Sequence, residues 1–256
     1  MRIFKDIEEW RAFRKKLPAE KKLGVVMTMG ALHKGHFSLV ERSKSENDFT
    51  VATIFLNPTQ FNNKEDLIKY PKTWEEDVKA LENLNTDFLI APSYKEIYKD
   101  NYRYVIAENE FSKMLCGASR PGHFDGVLTI VMKLLQIAKA DRAYFGEKDY
   151  QQYHLIKGMA DTFFIDTEII SCEIIREDDN LAMSSRNLRL SAFGRKLAAL
   201  YAGIIRKNDE ISNIIIELEG NGIKVDYLEE HFGRRFAAVI IDEIRLIDNF
   251  DLKECC

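Results

Sequence analysis

The chain has 256 residues, 46% hydrophobic and 30% charged, the composition of a globular protein with a sizeable core rather than of a disordered or fibrous one. Lys and Arg number 37 against 41 Asp and Glu, so no net positive field is offered to a polyanion such as DNA or tRNA, and small-molecule chemistry is the better expectation. The N-terminus is charged from Arg2, and no apolar run approaches the ~20 residues that span a bilayer, which predicts a cytosolic chain without a membrane segment. Cys116, Cys172, Cys255 and Cys256 form neither a C-x-x-C pair nor a zinc spacing and read as reduced thiols without a role, the last two at a terminus expected to fray.

Taken in chain order, residues 23–29 form an apolar run stopped by Gly30, as a buried strand would, with a helix expected from about His36. Residues 49–56 read as a strand, 73–84 as a helix and 87–91 as a strand, and Thr73 with Glu76 has the spacing of a capping box. Val127, Ile130, Val131, Leu134 and Ala138 recur at helical spacing. A strand at 142–145, a helix at 150–163 and a strand at 167–175 follow. The alternation predicts an α/β fold, a Rossmann-like parallel sheet with helices on both faces, whose ligands bind beyond the carboxyl ends of the strands. A long helical pattern over 191–219 and a strand-like run at 236–241 predict a smaller C-terminal α+β domain, with the division at 1–174 and 175–256.

Three polar, turn-rich segments fall where that fold places a ligand, and a fourth begins just after the expected domain boundary. In Thr28-Met29-Gly30-Ala31-Leu32-His33-Lys34-Gly35-His36, a turn leading into a helix is expected to aim unpaired N–H groups at an anion. His33 and His36, three apart, can both donate to phosphate oxygens, and Gly35 lets a flat base approach. Two ordinary loop histidines, or half of a zinc site, are the competing readings; no third zinc ligand at a usual spacing is present. Asn57-Pro58-Thr59-Gln60-Phe61 sets two amides beside a rigid turn, suited to hydroxyls and a carboxylate, or is simply a turn. Gly146-Glu147-Lys148-Asp149-Tyr150-Gln151-Gln152 offers the Lys148 cation to phosphates and Gln152 to the same cleft, or carries only a solvated surface lysine. In Met183-Ser184-Ser185-Arg186 the hydroxyls and guanidinium can clamp phosphates, or a serine caps a helix.

Together with Y-P-K-T and R-P-G-H-F, these segments resemble the pantothenate synthetases, members of the H-x-G-H nucleotidyltransferase superfamily, over about Lys22 to Ser191. The resemblance implies ATP-dependent condensation of pantoate with β-alanine, through an acyl adenylate, by a homodimer that binds neither nucleic acid nor membrane. It implies that Met29, Gly30, Ala31, Leu32, His33, Lys34, Gly35 and His36 bind ATP, with His36 as proton donor. Gly146, Glu147, Lys148, Asp149, Ile175, Met183, Ser184, Ser185 and Arg186 are implied for ATP as well, and His33, Lys148 and Arg186 join His36 as the catalytic set. Gln60 and Gln152 are implied for pantoate, Gln60 also for β-alanine, with Asn57, Tyr70 and Arg120 on the substrate side and Asp77 on Mg²⁺. The chain departs from the pattern at Met27 (usually Pro), Asn62 (commonly Gly) and Asn180 (Gly), and Asn tolerates a left-handed backbone. The part after Ser191 matches poorly.

Overall fold

Six short strands, Arg2–Phe4 (β1), Leu23–Thr28 (β2), Phe49–Ile54 (β3), Phe88–Ile90 (β4), Arg142–Gly146 (β5) and Glu168–Cys172 (β6), pair in parallel in the computed structural model, which describes residues 1–62 and 64–254. Their order, β1-β4-β3-β2-β5-β6, shows the chain winding outward from β2 on one side and resuming on the other at β5. The topological switch therefore lies beyond the carboxyl ends of β2 and β5. Leu23, Val25 and Val26 are fully buried, which is why β2 reads as a continuous apolar run rather than an alternating one.

Helices Ile7–Arg14 (α1), Lys34–Glu46 (α2), Lys64–Ile68 (α3), Trp74–Asn83 (α4), Tyr94–Ile97 (α5), Cys116–Ser119 (α6), His123–Ala138 (α7) and Tyr150–Thr162 (α8) accompany the sheet. Leu39 and Val40 of α2 and Leu81 of α4 pack with Val26, Ala52, Leu89 and Tyr144. The sequence pattern does not reveal β1 and α1, which close one sheet edge through an aromatic cluster of Phe4, Trp10, Phe13 and Phe88. Helix α2 starts at Lys34, two residues before the expected point, because His33 is its cap. The capping box expected at Thr73 and Glu76 does not form: the Thr73 hydroxyl donates to the Asp77 carboxylate instead.

By compactness the chain divides into two units, Met1–Gly146 with Gln151–Cys172, and Glu147–Tyr150 with the chain from Glu173 onward. In the second, Lys224–His231 (β7), Arg234–Ile241 (β8) and Ile244–Asp251 (β9) form an antiparallel meander with a core of Tyr201, Ile205, Leu218, Val239 and Phe250. The expected single helix over 191–219 is two, Ala192–Ile204 (α9) and Ile211–Gly220 (α10). Arg235, buried on β8, donates to the carbonyls of Ile205, Lys207 and Asp209 and to Glu230, so the turn between the helices is satisfied by a side chain distant in sequence. No helix among the described residues is long and apolar enough to cross a membrane. Cys116 and Cys172 are buried free thiols, and Cys255 and Cys256 lie outside the described residues.

Candidate active site

β2 ends at Thr28, whose hydroxyl donates to Thr53 O at 2.8 Å and accepts from Gly30 N. Gly30 and Ala31 then take φ of 84° and 53°. The next two amides, Ala31 N and Leu32 N, donate to Asp77 Oδ2 and Oδ1 at 2.9 and 2.8 Å, and Thr73 Oγ1 adds a third bond to Oδ2 at 3.0 Å. A carboxylate 4% exposed is stable only with such donors, so Asp77 braces the loop after β2. Among the described residues no group of three His, Cys, Asp or Glu converges to hold a metal.

His33 stands at the N-cap of α2 with its Nδ1 accepting from Gly35 N at 3.1 Å, while His36 Nδ1 accepts from His33 N at 3.3 Å. Two imidazoles thereby form the reciprocal cap usually built from Ser or Thr with Glu or Gln. An accepting Nδ1 carries no proton, which assigns both rings the neutral tautomer with hydrogen on Nε2. The rings lie 4.2 Å apart, and a Cβ on residue 35 would come within 2.9 Å of His33 Cε1. That close approach gives the H-x-G-H spacing its physical reason. The expectation of unpaired backbone N–H groups is met only in part: those of Gly30, Ala31, Leu32, His33 and Gly35 have partners within the first unit, while that of Lys34 has none among the described residues. What the fold builds into this segment is a pair of imidazoles at a helix N-terminus, each with Nδ1 turned to the backbone.

Asn57 follows β3 and is 1% exposed. Its Nδ2 donates to Gln60 Oε1 and Gly126 O, and its Oδ1 accepts from Thr59 Oγ1 and Tyr98 OH. All four hydrogen-bonding positions of the amide are thus used within the first unit. Burial pushes the Tyr98 hydroxyl up to about 12, so it remains a donor at any ordinary pH. Gln60 Nε2 points at Met29 Sδ, 3.1 Å away, and Tyr70 OH donates to Gly30 O at 3.4 Å, which brings this shelf to the histidine loop. Gln60 O accepts from His123 Nδ1 at 2.8 Å and from Arg120 at 3.2 Å, and Arg120 NH1 meets His123 Nε2 at 3.0 Å. A Cβ at residue 126 would lie 2.4 Å from Thr59 O, so only glycine lets α7 carry the shelf this closely.

The adjacent glutamines at the start of α8 divide their work. Gln151 is buried and bonded to Cys116 N, Phe111 O and Met114 O, which pins the turn at Leu115, a leucine at φ 49°. Gln152 is half-buried and has no hydrogen-bond partner among the described residues. Motif reading picks Gln152, and misses Gln151, Tyr98, His123, Thr73 and Gly126. Thr73, His123 and Gln151 lie inside the recognised motifs, but nothing in the spacing of Tyr98 or Gly126 signals a bond across the fold.

In the second unit, Ile175 O accepts from Met183 N, closing a hairpin in which Asn180 takes a φ of 67°. Arg195 of α9 pairs with Glu177 and Asp179 at 2.6 and 2.5 Å. Ser184 caps the turn Ser185–Arg189 by accepting from Arg186 N. Lys148 Nζ stands 3.8 Å from Asp149, and Glu147 pairs with Arg234 at 3.2 Å.

The chain matches the family model described as pantoate-beta-alanine ligase over residues 2–251. It is 50% identical over 250 residues to the pantothenate synthetase of Legionella pneumophila (strain Lens), covering 98% of this chain and 99% of that one. It is 46% identical to that of Bdellovibrio bacteriovorus, with the same coverage. Among solved structures, the pantoate-beta-alanine ligase of Francisella tularensis complexed with beta-gamma ATP and beta-alanine matches with a TM-score of 0.94 and 42% identity, over 99% of this chain and 98% of that one. Pantothenate synthetase of Thermus thermophilus gives 0.88 and 35%, over 98% and 99%.

Proposed function

We propose that this chain, which belongs to the pantoate-β-alanine ligase family, condenses pantoate with β-alanine, using ATP and releasing AMP and pyrophosphate. The observation that carries the reading is the reciprocal histidine cap at the carboxyl end of the central strand, two preorganised donors where a parallel sheet binds its ligand.

A resonance-stabilised carboxylate has no leaving group an amine can displace. One carboxylate oxygen therefore attacks the α-phosphorus, the bond to the bridging oxygen breaks, and pyrophosphate leaves with its electron pair. The amine of β-alanine then adds to the carbonyl of the mixed anhydride, loses a proton, and expels AMP. The protein aligns the reactants and stabilises charge developing on phosphate oxygens. His33 and His36 donate from Nε2, with Lys148, Ser184, Ser185 and Arg186 assigned to the phosphates on the family's motif. Gln60, oriented by Asn57, and Gln152 read pantoate, with Tyr70 and Arg120 bordering it through Gly30 and Gln60. Mg²⁺ would neutralise charge on the phosphates of ATP, with Asp77 the residue that the family's pattern assigns to it. Residues 1–174 are read as the ATP- and pantoate-binding domain and 175–256 as the smaller domain, in a cytosolic homodimer.

The test is to incubate the protein with ATP, Mg²⁺, pantoate and β-alanine, omitting each in turn. AMP and pantothenate in equal amounts, with the full set only, are expected. AMP formation indifferent to pantoate would overturn the reading.

A further inference from the structure

Asp248 and Asn249, neighbours on β9, are both 2% exposed, and a strand sends successive side chains to opposite faces. Asp248 takes Arg176 in a two-pronged pair at 2.7 and 2.9 Å, tying down the hairpin that ends at Met183. Asn249 does something different. Its Nδ2 donates to Glu147 O at 2.8 Å and to Lys148 O at 3.0 Å, and its Oδ1 accepts from Arg234 Nε at 2.9 Å. Arg234 also reaches Glu147 Oε2 and lies 4.2 Å over the Tyr150 ring. Two carbonyls on one side and a guanidinium on the other fix which end of the amide is which. The peptide planes of residues 147 and 148 are thus set by a buried carboxamide 102 and 101 residues away in sequence.

We propose that Asn249 is a positioning residue for Lys148, holding its backbone so that the ammonium meets the phosphates during adenylate formation; this rests on the assignment of Lys148 to ATP made above. The mechanism is orientation, where a displacement of about 1 Å can cost up to roughly 100-fold in rate. Asn249 touches no reacting atom, and no part of the sequence motif includes it.

The experiment is a double-mutant cycle read as pyrophosphate release from ATP and pantoate, with thermal midpoints measured alongside. Asn249→Ala should lower kcat by roughly 10- to 100-fold. In the Lys148→Ala background the same substitution should cost no more than about 2-fold, because nothing is left to position. Asn249→Ser, which keeps one donor, should fall between, and it serves as the folded variant if Asn249→Ala does not fold. Equal losses from the Asn249 substitution in both backgrounds would reduce Asn249 to a fold-supporting residue and overturn the proposal. Full activity in Asn249→Ala would do the same. If Lys148→Ala alone retains full activity, the phosphate assignment of Lys148 fails and the proposal falls with it, an outcome distinct from failure of the Asn249 arm.

Discussion

The loop after β2 and the segment after β5 are both assigned to phosphates, and each is fixed by one buried side chain of nearly the same shape, Asp77 in one case and Asn249 in the other. Asp77 accepts, taking the N–H groups of Ala31 and Leu32. Asn249 donates, taking the carbonyls of Glu147 and Lys148. The difference follows from which backbone groups each loop turns inward, since a buried polar group must find its complement. In the first loop the N–H groups of Ala31 and Leu32 are taken by the brace, and the imidazoles are the donors we assign to phosphate. In the second the carbonyls are turned inward, and Lys148 is the cation we assign to phosphate.

Removing a donor should cost more than loosening a brace. His36→Ala deletes both a phosphate donor and the acceptor for His33 N, and should lower adenylate formation by about 10² to 10³ with the fold retained. Near-normal pyrophosphate release in this variant would take the imidazole out of the mechanism. Asp77→Asn turns one acceptor into a donor facing a backbone N–H, at roughly 1 to 3 kcal/mol for the buried mismatch. The expected result is a loss of about 10- to 100-fold in kcat/KM for ATP that raising Mg²⁺ does not restore. Recovery at high Mg²⁺ would make Asp77 a metal ligand rather than a brace.

Gln152→Leu and Gln151→Leu separate reading from bracing within a single pair. The first should weaken pantoate by about 5- to 100-fold in calorimetric titration while leaving ATP binding nearly unchanged. The second should lower the thermal midpoint, because three buried groups lose their partner. Equal losses for both ligands in Gln152→Leu would place that residue with the braces.

The smallest effect is expected from acid. Asp100 accepts from Tyr104 N and from Lys133, which together hold its carboxyl at about 2, and the same Lys133 lies 4.9 Å over the ring of Tyr98 beneath the Asn57 shelf. A carboxyl depressed in the folded state adds stability that is complete above its unfolded value of about 3.9 and is lost as pH falls toward the folded one. Asp100→Asn should therefore flatten the decline of the thermal midpoint between about pH 4 and 2. An unchanged acid limb would contradict the pairing.

What can be read in advance follows the range of the interactions. β2, β3 and β5 announce themselves because a doubly covered parallel strand is a largely apolar run, and α2, α4 and α7 by their helical spacing, whereas the short α3, α5 and α6 do not. The two histidines of the H-x-G-H loop are legible as neighbouring donors, but the cap they form on each other and the crowding of His33 that requires Gly35 are not, because these bonds appear only once the helix start is known. The break between α9 and α10 is not legible either, because its carbonyls are satisfied by Arg235 from β8. The bracing by Asp77 is hidden as well: its spacing in α4 gives no hint that the amides of residues 31 and 32 arrive from the loop after β2. The saturation of the Asn57 amide is hidden too, because an isolated Asn-Pro turn does not show that Tyr98 and Gly126 will meet it.

The central claim, that the pantoate carboxylate attacks the α-phosphorus of ATP, is tested most directly with ¹⁸O in that carboxylate. During synthesis of pantothenate one labelled oxygen should appear in AMP for each molecule formed, since the oxygen that joined the phosphorus departs with it. AMP free of label, with pantothenate still accumulating, would contradict the adenylate and with it the role given to the histidine loop.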